Sequence, residues 1–401
     1  MLALVVCVFV ALLSPVGSFR ISSNSAIKNN KSFKLRSLGS DSELKGEIME
    51  MRAGLIKKAL TLHSVSTKGI FEKKELADLL HSKEVEFRKS SDATFNSKSF
   101  SVPLVEIPLK DNSDKNVKKY VGVDLNVNGK VVRFMIDTAA SMNLIKPDVA
   151  NMLGLQAQAS NQFTTGLGGG GTIGSKMVNL VGASTTSNIA IPAQQCAVLD
   201  NAAVLPFSAA GLLGLGFLRT LPGLAEFDFK NMVFTAGLPG LDSSSRSPLS
   251  RLKLEQRGKI TLRDIYTGLV TCEIDLNGSG VIVQAMVDIG STYTILNSRA
   301  VTSVLNSELS RLPDSPTICA GIDGRPMKMK SAQIESIEFP TSDGMNVKQP
   351  VPRALSLYAA DIAGMQALGL NATPSCILGM DVLGAFDKLT LDLQGRCMFL
   401  E

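Results

Sequence analysis

Apolar and polar residues alternate along two stretches of the chain, and both stretches end on an aspartate. Residues 123–137 read VDLNVNGKVVRFMID and residues 274–288 read IDLNGSGVIVQAMVD, and they overlay without a gap at an offset of 151 positions. A period of two predicts half-buried strands, and the glycine-containing midpoints predict hairpin turns. Each stretch is therefore expected to form a hairpin whose second strand delivers an aspartate, Asp137 or Asp288.

A second pair of similar segments closes each half of the chain. Residues 211–235 contain Leu212-Leu213-Gly214, and residues 376–400 contain Ile377-Leu378-Gly379. The repeats are rich in Val, Ile, Thr, Phe and Leu, a composition that favours strands. Two copies of one β-rich unit predict a molecule of two lobes related by a pseudo-twofold axis, with the two aspartates at the seam. The predicted fold class is all-β, with a small helical module before the repeats.

The chain before the repeats has a helical pattern. Apolar residues at helical spacing between positions 44 and 80 predict two helices, separated at Thr67-Lys68-Gly69. This helix–extended–helix pattern resembles SAP-like units, of which some bind nucleic acid and others dock proteins. The balanced charge favours a docking or spacer role with a protein partner, and an inhibitory propeptide is a further interpretation. The predicted boundaries are 1–18 signal peptide, 19–40 transit-like leader, 41–83 helical module, 84–101 polar linker, 102–240 first lobe, 241–258 polar connector and 259–401 second lobe.

The net charge of +5 belongs to the leader. The first 40 positions hold five basic residues and no acidic one, so the remainder is neutral and gives no support for nucleic-acid binding. Met1–Leu13 is apolar but too short to anchor in a bilayer, and no later apolar run is longer, so no membrane interaction is expected. A signal peptide followed by a Ser- and Lys-rich stretch resembles the bipartite leaders of algae with secondary plastids. The leader predicts the secretory pathway and such a plastid, with secretion or a vacuole as the alternative.

Histidine is missing from both repeats. The two histidines, His63 and His81, precede residue 102, which excludes Ser-His or Cys-His hydrolysis and His-based zinc sites within the repeats. The cysteines after the leader are odd in number and widely spaced, which predicts buried thiols with at most one bridge. No metal or other cofactor is expected.

The residues after each aspartate are small, in DTAAS and DIGST. Small residues let the backbone turn sharply and aim N–H groups at the carboxylate. Two carboxyl groups at ~3 Å cannot both ionise, so they share one proton and titrate as a pair. The ionised member can take a proton from water while the protonated member polarises a peptide carbonyl. We therefore predict Asp137 and Asp288 as the catalytic pair, supported by Thr138, Ala139, Gly290 and Ser291.

The paired segments, each with its later apolar–apolar–Gly element, resemble the bilobal aspartic peptidases, and the retropepsin-like branch more than pepsin. The resemblance covers about residues 102–401. It implies a pepsin/retropepsin-like acid protease fold and an endopeptidase that binds a polypeptide in the interlobe cleft. Two fused lobes imply a monomer. It also implies a substrate-covering flap at 163–174, with 321–327 in the corresponding place of the second lobe; the glycines expected in its tip are Gly166, Gly168, Gly169 and Gly170.

The chain departs from the family pattern at several positions. Ala139 replaces the expected Gly and Ile289 replaces the expected Thr or Ser, so of the two threonine bonds between the lobes only that of Thr138 is expected. A hydroxyl that can bond the carboxylate is present at Ser291 but not at Ala140. Losing a hydrogen bond to the ionised form raises a carboxyl pKa, which predicts a working pH less acid than that of gastric relatives.

Two alternatives to a peptidase follow from the same sequence. The first is a catalytically inactive descendant that binds peptides or proteins in the cleft, which Ala139, Ile289 and the missing flap tyrosine and tryptophan favour. The second gives the main role to the helical module, with nucleic acid as its target.

Overall fold

The computed structural model describes residues 5–7, 11–12, 41–70, 72–95, 99–108, 120–166, 172–199, 205–206, 208–221, 223–238, 248–265, 268–320, 326–342, 344, 346–348 and 355–401. The chain forms two compact units. A β-rich unit comprises Met1–Ser14, Val102–Leu238 and Arg257–Glu401, and a helical unit comprises Pro15–Ser101 and Pro239–Gln256. Within the β-rich unit, Val102–Leu238 is called lobe 1 and Arg257–Glu401 lobe 2 below.

Strands dominate the β-rich unit, which confirms the predicted fold class. Those up to the end of lobe 1 are β1 Val5–Cys7, β2 Ala11–Leu12, β3 Phe100–Pro103, β4 Val105–Ile107, β5 Tyr120–Val127, β6 Lys130–Ile136, β7 Asn143–Ile145, β8 Gln158–Gly166, β9 Thr172–Leu180, β10 Ser184–Thr185, β11 Gln194–Val198, β12 Gly211–Leu213, β13 Leu224–Asp228 and β14 Val233–Leu238. Those of lobe 2 are β15 Ile260–Thr261, β16 Arg263–Asp264, β17 Val270–Leu276, β18 Ile282–Val287, β19 Ile295–Leu296, β20 Asp314–Ala320, β21 Pro326–Ile334, β22 Ile337–Pro340, β23 Asn346–Lys348, β24 Leu355–Ala359, β25 Ser375–Leu378, β26 Lys388–Asp392 and β27 Cys397–Leu400.

Helices are short in the lobes and longer in the helical unit. In chain order they are α1 Asp41–Glu50, α2 Ala53–Leu62, α3 Lys73–Phe95, α4 Pro147–Met152, α5 Leu215–Thr220, α6 Pro248–Gln256, α7 Ser298–Leu305, α8 Ala363–Ala367 and α9 Met380–Leu383, with 3-10 turns at Leu309–Arg311 and Leu370–Ala372. No helix of the described residues combines the length and apolar character needed to cross a bilayer.

The large sheets of the two lobes have corresponding strand orders. The order in lobe 1 is β8-β9-β11-β7-β12-β6-β5-β10, and in lobe 2 it is β20-β21-β24-β19-β25-β18-β17-β22. In both, the strand with the apolar–apolar–Gly element runs parallel to the strand that precedes the aspartate, β12 beside β6 and β25 beside β18. β1 and β2 pair at the outer edges, on β8 and β20. The sequence repeat thus corresponds to a structural repeat of two lobes.

A third sheet joins the lobes, in the order β15-β27-β26-β13-β14-β3. Its centre is the antiparallel pair β13 and β26, in which Phe227 lies opposite Leu389. Both side chains are fully buried, and the Phe227 ring lies 5.0 Å from that of Phe234. Each lobe contributes its last hairpin to this sheet, so apolar burial at the centre holds the lobes together.

Three cysteines of the lobes are buried thiols. Cys196, Cys272 and Cys376 form no disulfide, and burial raises the pKa of Cys196 and Cys272 to about 12. Cys272 and Cys376 both lie opposite Ala285, on the strands either side of it. Two strand spacings amount to about 9–10 Å, which exceeds the reach of a disulfide.

The helical unit contains more helix than the sequence pattern predicts. The first predicted helix is divided into α1 and α2 at Met51-Arg52, and α3 continues to Phe95 through most of the predicted linker 84–101. Residues 84–95 are polar, but they lack Gly and Pro and include good helix formers. Glu84 is also buried and Val85 packs against the helical core, so tertiary contacts stabilise the extension.

The predicted connector 241–258 also differs from expectation, because it contains helix α6 and contributes to the helical unit. Leu249 and Leu252 are three residues apart, lie on one face and are buried. Pro248 begins the helix, which is the position where proline is favoured. The polar composition of the segment hides this short amphipathic pattern.

Candidate active site

Asp137 and Asp288 are delivered by the same backbone arrangement in the two lobes. Asp137 follows β6, and its N–H donates to the Leu213 carbonyl at 3.0 Å. Asp288 follows β18, and its N–H donates to the Leu378 carbonyl, also at 3.0 Å. The parallel strand β12 or β25 thus fixes the start of each turn. Both aspartates are fully buried.

The turn after each aspartate donates N–H groups to it. The Ala139 N–H donates to Asp137 Oδ1 and the Gly290 N–H to Asp288 Oδ1, each at 2.8 Å. The turns close through bonds of equal length, because the Ala140 and Ser291 N–H groups each donate to the aspartate carbonyl at 3.3 Å. The small residues of DTAAS and DIGST therefore orient each carboxylate as their sequence suggests.

Thr138 ties the turn of lobe 1 to that of lobe 2. Its hydroxyl donates to the Val287 carbonyl at 2.7 Å and accepts the Ile289 N–H at 3.0 Å. Thr138 and Ile289 are both fully buried. Ile289 has no hydroxyl with which to return these bonds, so this pair of turns is tied by the side chain of lobe 1 alone.

The two turns approach each other closely at Gly290. A Cβ atom at this position would lie 2.4 Å from Asp137 Cγ and 2.7 Å from Asp137 Oδ1. Those distances are shorter than any ordinary contact, so a residue without a side chain is required there. The backbone that holds Asp288 therefore lies directly against the Asp137 carboxyl group.

Burial and proximity raise the pKa of both carboxyl groups. For Asp137 the cause is desolvation, which the N–H groups of its turn oppose only in part. For Asp288 desolvation is again the largest cause, and the negative charge of Asp137 raises the pKa further. The remaining oxygen, Oδ2, of each accepts no hydrogen bond from a group of the described residues. Two such groups retain at least one proton to a higher pH than a solvated aspartate does.

Ser291 supports the pair through its backbone rather than through its hydroxyl. The hydroxyl donates to the Tyr293 carbonyl at 2.8 Å and accepts the Tyr293 N–H at 3.3 Å. It therefore closes its own turn, as serine commonly does in loops. This corrects the expectation that it bonds the carboxylate. Since Ala140 has no hydroxyl, the ionised form lacks this support in both lobes.

The predicted flap lies only partly within the described residues. β8 and β9 form an antiparallel pair, and Gly166 is the last residue of β8. Gly168, Gly169 and Gly170 lie outside the described residues. β20 and β21 form the corresponding antiparallel pair of lobe 2, before and after 321–325.

Two residues that the sequence analysis did not select hold the loops behind the aspartates. The Gly214 N–H donates to Asn143 Oδ1 at 2.9 Å, and the Gly379 N–H donates to Thr294 Oγ1 at 3.0 Å. Asn143 and Thr294 each follow their aspartate by the same number of residues. Their equal positions in the two repeats could have identified them from the sequence, but one is Asn and the other Thr, so the correspondence was not recognised.

Asp381 is a partly buried carboxyl group of lobe 2 whose pKa is also shifted. Its oxygens accept the Thr294 hydroxyl at 2.6 Å and the Thr294 N–H at 2.9 Å. Burial raises its pKa to about 6, and the Thr294 bonds oppose this shift. In lobe 1 the residue at the position of Thr294 is Asn143, and it donates to an uncharged side chain, that of Gln194, at 3.2 Å. Across the described residues, no three Asp, Glu, His or Cys side chains are arranged to hold a metal ion.

Comparison with known proteins connects lobe 1 to a family. Residues 123–217 match the sequence model of the family described as aspartyl protease. This range includes Asp137 and its turn, and it ends before Asp288 and does not reach the helical unit, so it offers no support for a SAP-like module. No curated protein matches the chain.

Two solved structures of plant proteins are similar to this chain. Conglutin gamma, a basic 7S globulin from lupine seeds, is 11% identical with a TM-score of 0.44, and the match covers 76% of this chain and 95% of that one. Basic 7S globulin from soybean is 9% identical with a TM-score of 0.41 and the same two coverages, 76% and 95%. Similarity at this level transfers no activity.

Replacing Thr138 should test the tie between the lobes. Thr138→Ala leaves the Val287 carbonyl and the Ile289 N–H buried without their partner, so we expect it to lower the free energy of unfolding by about 2–5 kcal/mol. Thr138→Ser keeps the hydroxyl and should lose less than about half of that. Urea unfolding of the two variants measures the difference, and equal losses would contradict the role of the hydroxyl.

Replacing Gly290 should test the close approach of the two turns. In Gly290→Ala the new methyl group collides with the Asp137 carboxyl, so we expect destabilisation of at least about 1–3 kcal/mol. The matched change Ala139→Gly removes a methyl group and should cost about 1 kcal/mol or less. Thermal unfolding of both variants gives the comparison, and a Gly290→Ala protein as stable as the wild type would show that the turns lie further apart.

Asp381 should make stability depend on pH. Because its pKa is raised from 3.8 to about 6, the folded state holds the proton more tightly than the unfolded chain. Its contribution is fully present below the unfolded pKa and is lost as the pH rises through about 6. Asp381→Asn removes this titration, so relative to wild type the variant should gain on the order of 1–3 kcal/mol between pH 4 and pH 7. Parallel stability curves from urea unfolding would contradict this.

Proposed function

We propose that this protein is an aspartic-type endopeptidase in which Asp137 and Asp288 activate a water molecule. The observation that carries the proposal is the pair of fully buried aspartates at the ends of matched strands. Matching N–H bonds hold the two carboxylates, and Gly290 packs directly against the Asp137 carboxyl. The aspartyl protease family match of residues 123–217 supports the same activity.

The proposed mechanism needs one proton shared by the pair. The ionised member removes a proton from water, and the oxygen of that water attacks the peptide carbonyl carbon. The protonated member donates a hydrogen bond to the carbonyl oxygen, where negative charge develops. The aspartate that took the proton from water then passes it to the amide nitrogen, the carbonyl bond re-forms and the C–N bond breaks, which releases the two products. No covalent bond to the protein forms at any step.

The proposed substrate is a polypeptide in extended conformation. An extended strand exposes its N–H and C=O groups, and the edges of hairpins bind such strands through main-chain hydrogen bonds. The β8–β9 and β20–β21 pairs offer one such hairpin in each lobe. β1 pairs with 164–166 of β8 and β2 with 319–320 of β20, so a substrate strand would bind the rest of each outer edge within the described residues. Backbone recognition of this kind requires no particular side chain, which suits an endopeptidase acting within chains.

A second candidate function is peptide or protein binding without hydrolysis. Ile289 in place of a hydroxyl residue and Ala139 in place of glycine favour it, because both change the immediate support of the pair. The hydrogen bonds between the two turns therefore depend on the Thr138 side chain of lobe 1, without an equivalent side chain from lobe 2. A protein of this kind would hold a peptide in the cleft and release it unchanged.

Activity against an unfolded protein should separate the two functions. The full chain should cleave denatured casein, and pepstatin should inhibit it. Asp137→Asn and Asp288→Asn should each lower the rate at least about 100-fold, because neither can share the proton. Peptide binding that survives in both variants, with no cleavage by the wild type from pH 3 to pH 8, would favour the binding function instead.

The pH dependence of cleavage should reflect the raised pKa of the pair. One member must be ionised to act as the base, so activity falls as the pH drops through the lower apparent pKa of the pair. Since burial raises the pKa of both groups, the acid limb should lie above the range of solvated aspartates. A profile of kcat/KM with its optimum near pH 3 would contradict this expectation.

A further inference from the structure

The helical unit is built from two segments that lie far apart in the sequence. Helices α1, α2 and α3 precede lobe 1, whereas α6 follows it. Leu249 and Leu252 of α6 belong to the same buried cluster as apolar residues of the other helices, namely Leu44, Ile48, Ile56, Ala59, Leu60, Leu76, Ala77 and Leu80. Apolar burial is the main force that holds such elements together, so α6 stabilises the N-terminal helices and they stabilise it.

A buried carboxylate caps α6 from the other segment. Pro248 has no N–H, so Leu249 carries the first free N–H of this helix, and it donates to Glu84 Oε1 at 2.8 Å. The same oxygen lies 2.8 Å from His63 Nε2, and only 1% of Glu84 is exposed. Negative charge is favourable at a helix N-terminus. Glu84 therefore links α2, α3 and α6 at one point.

Ion pairs at the surface of the unit connect the same two segments. Lys253 lies 2.6 Å from Glu47 of α1, and Lys58 of α2 lies 3.6 Å from Glu255. Exposed pairs stabilise a protein little. Their two separate positions along α6 nevertheless favour one orientation of this helix against the others.

Lobe 1 is consequently an insertion within the helical unit. The chain leaves this unit before Val102 and returns to it after Leu238. The two ends of the lobe lie together, because the Leu104 N–H donates to the Met232 carbonyl at 2.9 Å. Adjacent ends are what an inserted domain requires.

We propose that helices α1, α2 and α3 stay permanently bound to α6, the helix in the segment between the two lobes. They are therefore not a propeptide that is removed. A propeptide leaves when the chain is cut behind it, whereas these helices share a core and a capping carboxylate with α6. Cutting the chain between α3 and lobe 1 should therefore leave residues 41–95 bound. This inference concerns maturation and does not depend on the proposed peptidase activity.

The test is a specific cut in the full chain. A recognition site for tobacco etch virus protease is inserted at residues 96–98, and the cut protein is passed through a size-exclusion column in native buffer. The N-terminal fragment should elute with the remainder of the protein and should separate from it only in denaturant. Separate elution of the fragment in native buffer would overturn the proposal.

Variants of α6 and Glu84 identify what retains the fragment. Leu249→Ala with Leu252→Ala removes the apolar contacts but keeps the helix propensity, so less of the cut fragment should be retained. Making the same change in a chain without β1 and β2 removes their pairing with β8 and β20 as another cause of retention. Gln256→Ala changes an exposed position of the same helix and should leave the fragment bound. Glu84→Ala should lower retention more than Glu84→Gln, which keeps an oxygen able to accept the Leu249 N–H. If the variant with both leucines replaced retained the fragment as well as the wild type does, the contacts with α6 would not be what holds the N-terminal helices.

Discussion

The structure of the site depends on keeping two carboxyl groups out of water while the halves of one chain hold them. Burying a charged carboxylate is costly unless hydrogen bonds or a proton compensate it. Here the turn after each aspartate supplies N–H donors to Oδ1, and Thr138 joins the two turns. Both lobes are needed for this arrangement, since either half alone would present a single aspartate.

Much of this arrangement could be predicted from the sequence because it is repeated. A single aspartate after a strand is weak evidence, but Asp137 and Asp288 occupy equal places in two copies of one pattern. The correspondence of the two sheets and the hairpin pairs β8–β9 and β20–β21 follows from the same repeat. The repeat predicts the structural features that the two lobes have in common, but it gives no information about the features in which they differ.

The features that could not be predicted depend on contacts between distant residues. Ser291 has the correct type and position to bond a carboxylate, yet its hydroxyl satisfies Tyr293 of its own turn instead. Asp381 has no counterpart in lobe 1 and reads as one more surface acid until its two bonds to Thr294 are seen. Helix α6 is stabilised by residues more than a hundred positions earlier, such as Glu84. The local composition of residues 241–258 therefore predicts a polar connector rather than a helix.

The insertion of lobe 1 has a consequence for the order in which the protein is made. A ribosome releases the chain from its N-terminus, and domains generally fold as they emerge. Helices α1 to α3 emerge first, but their partner Leu252 emerges only after the whole of lobe 1. Until then the part of their apolar surface that Leu249 and Leu252 cover stays exposed, which is a hazard for aggregation. A chaperone that binds α1, α2 and α3 early in synthesis would protect this surface. Slow translation between α3 and α6 would lengthen the time for which such protection is needed.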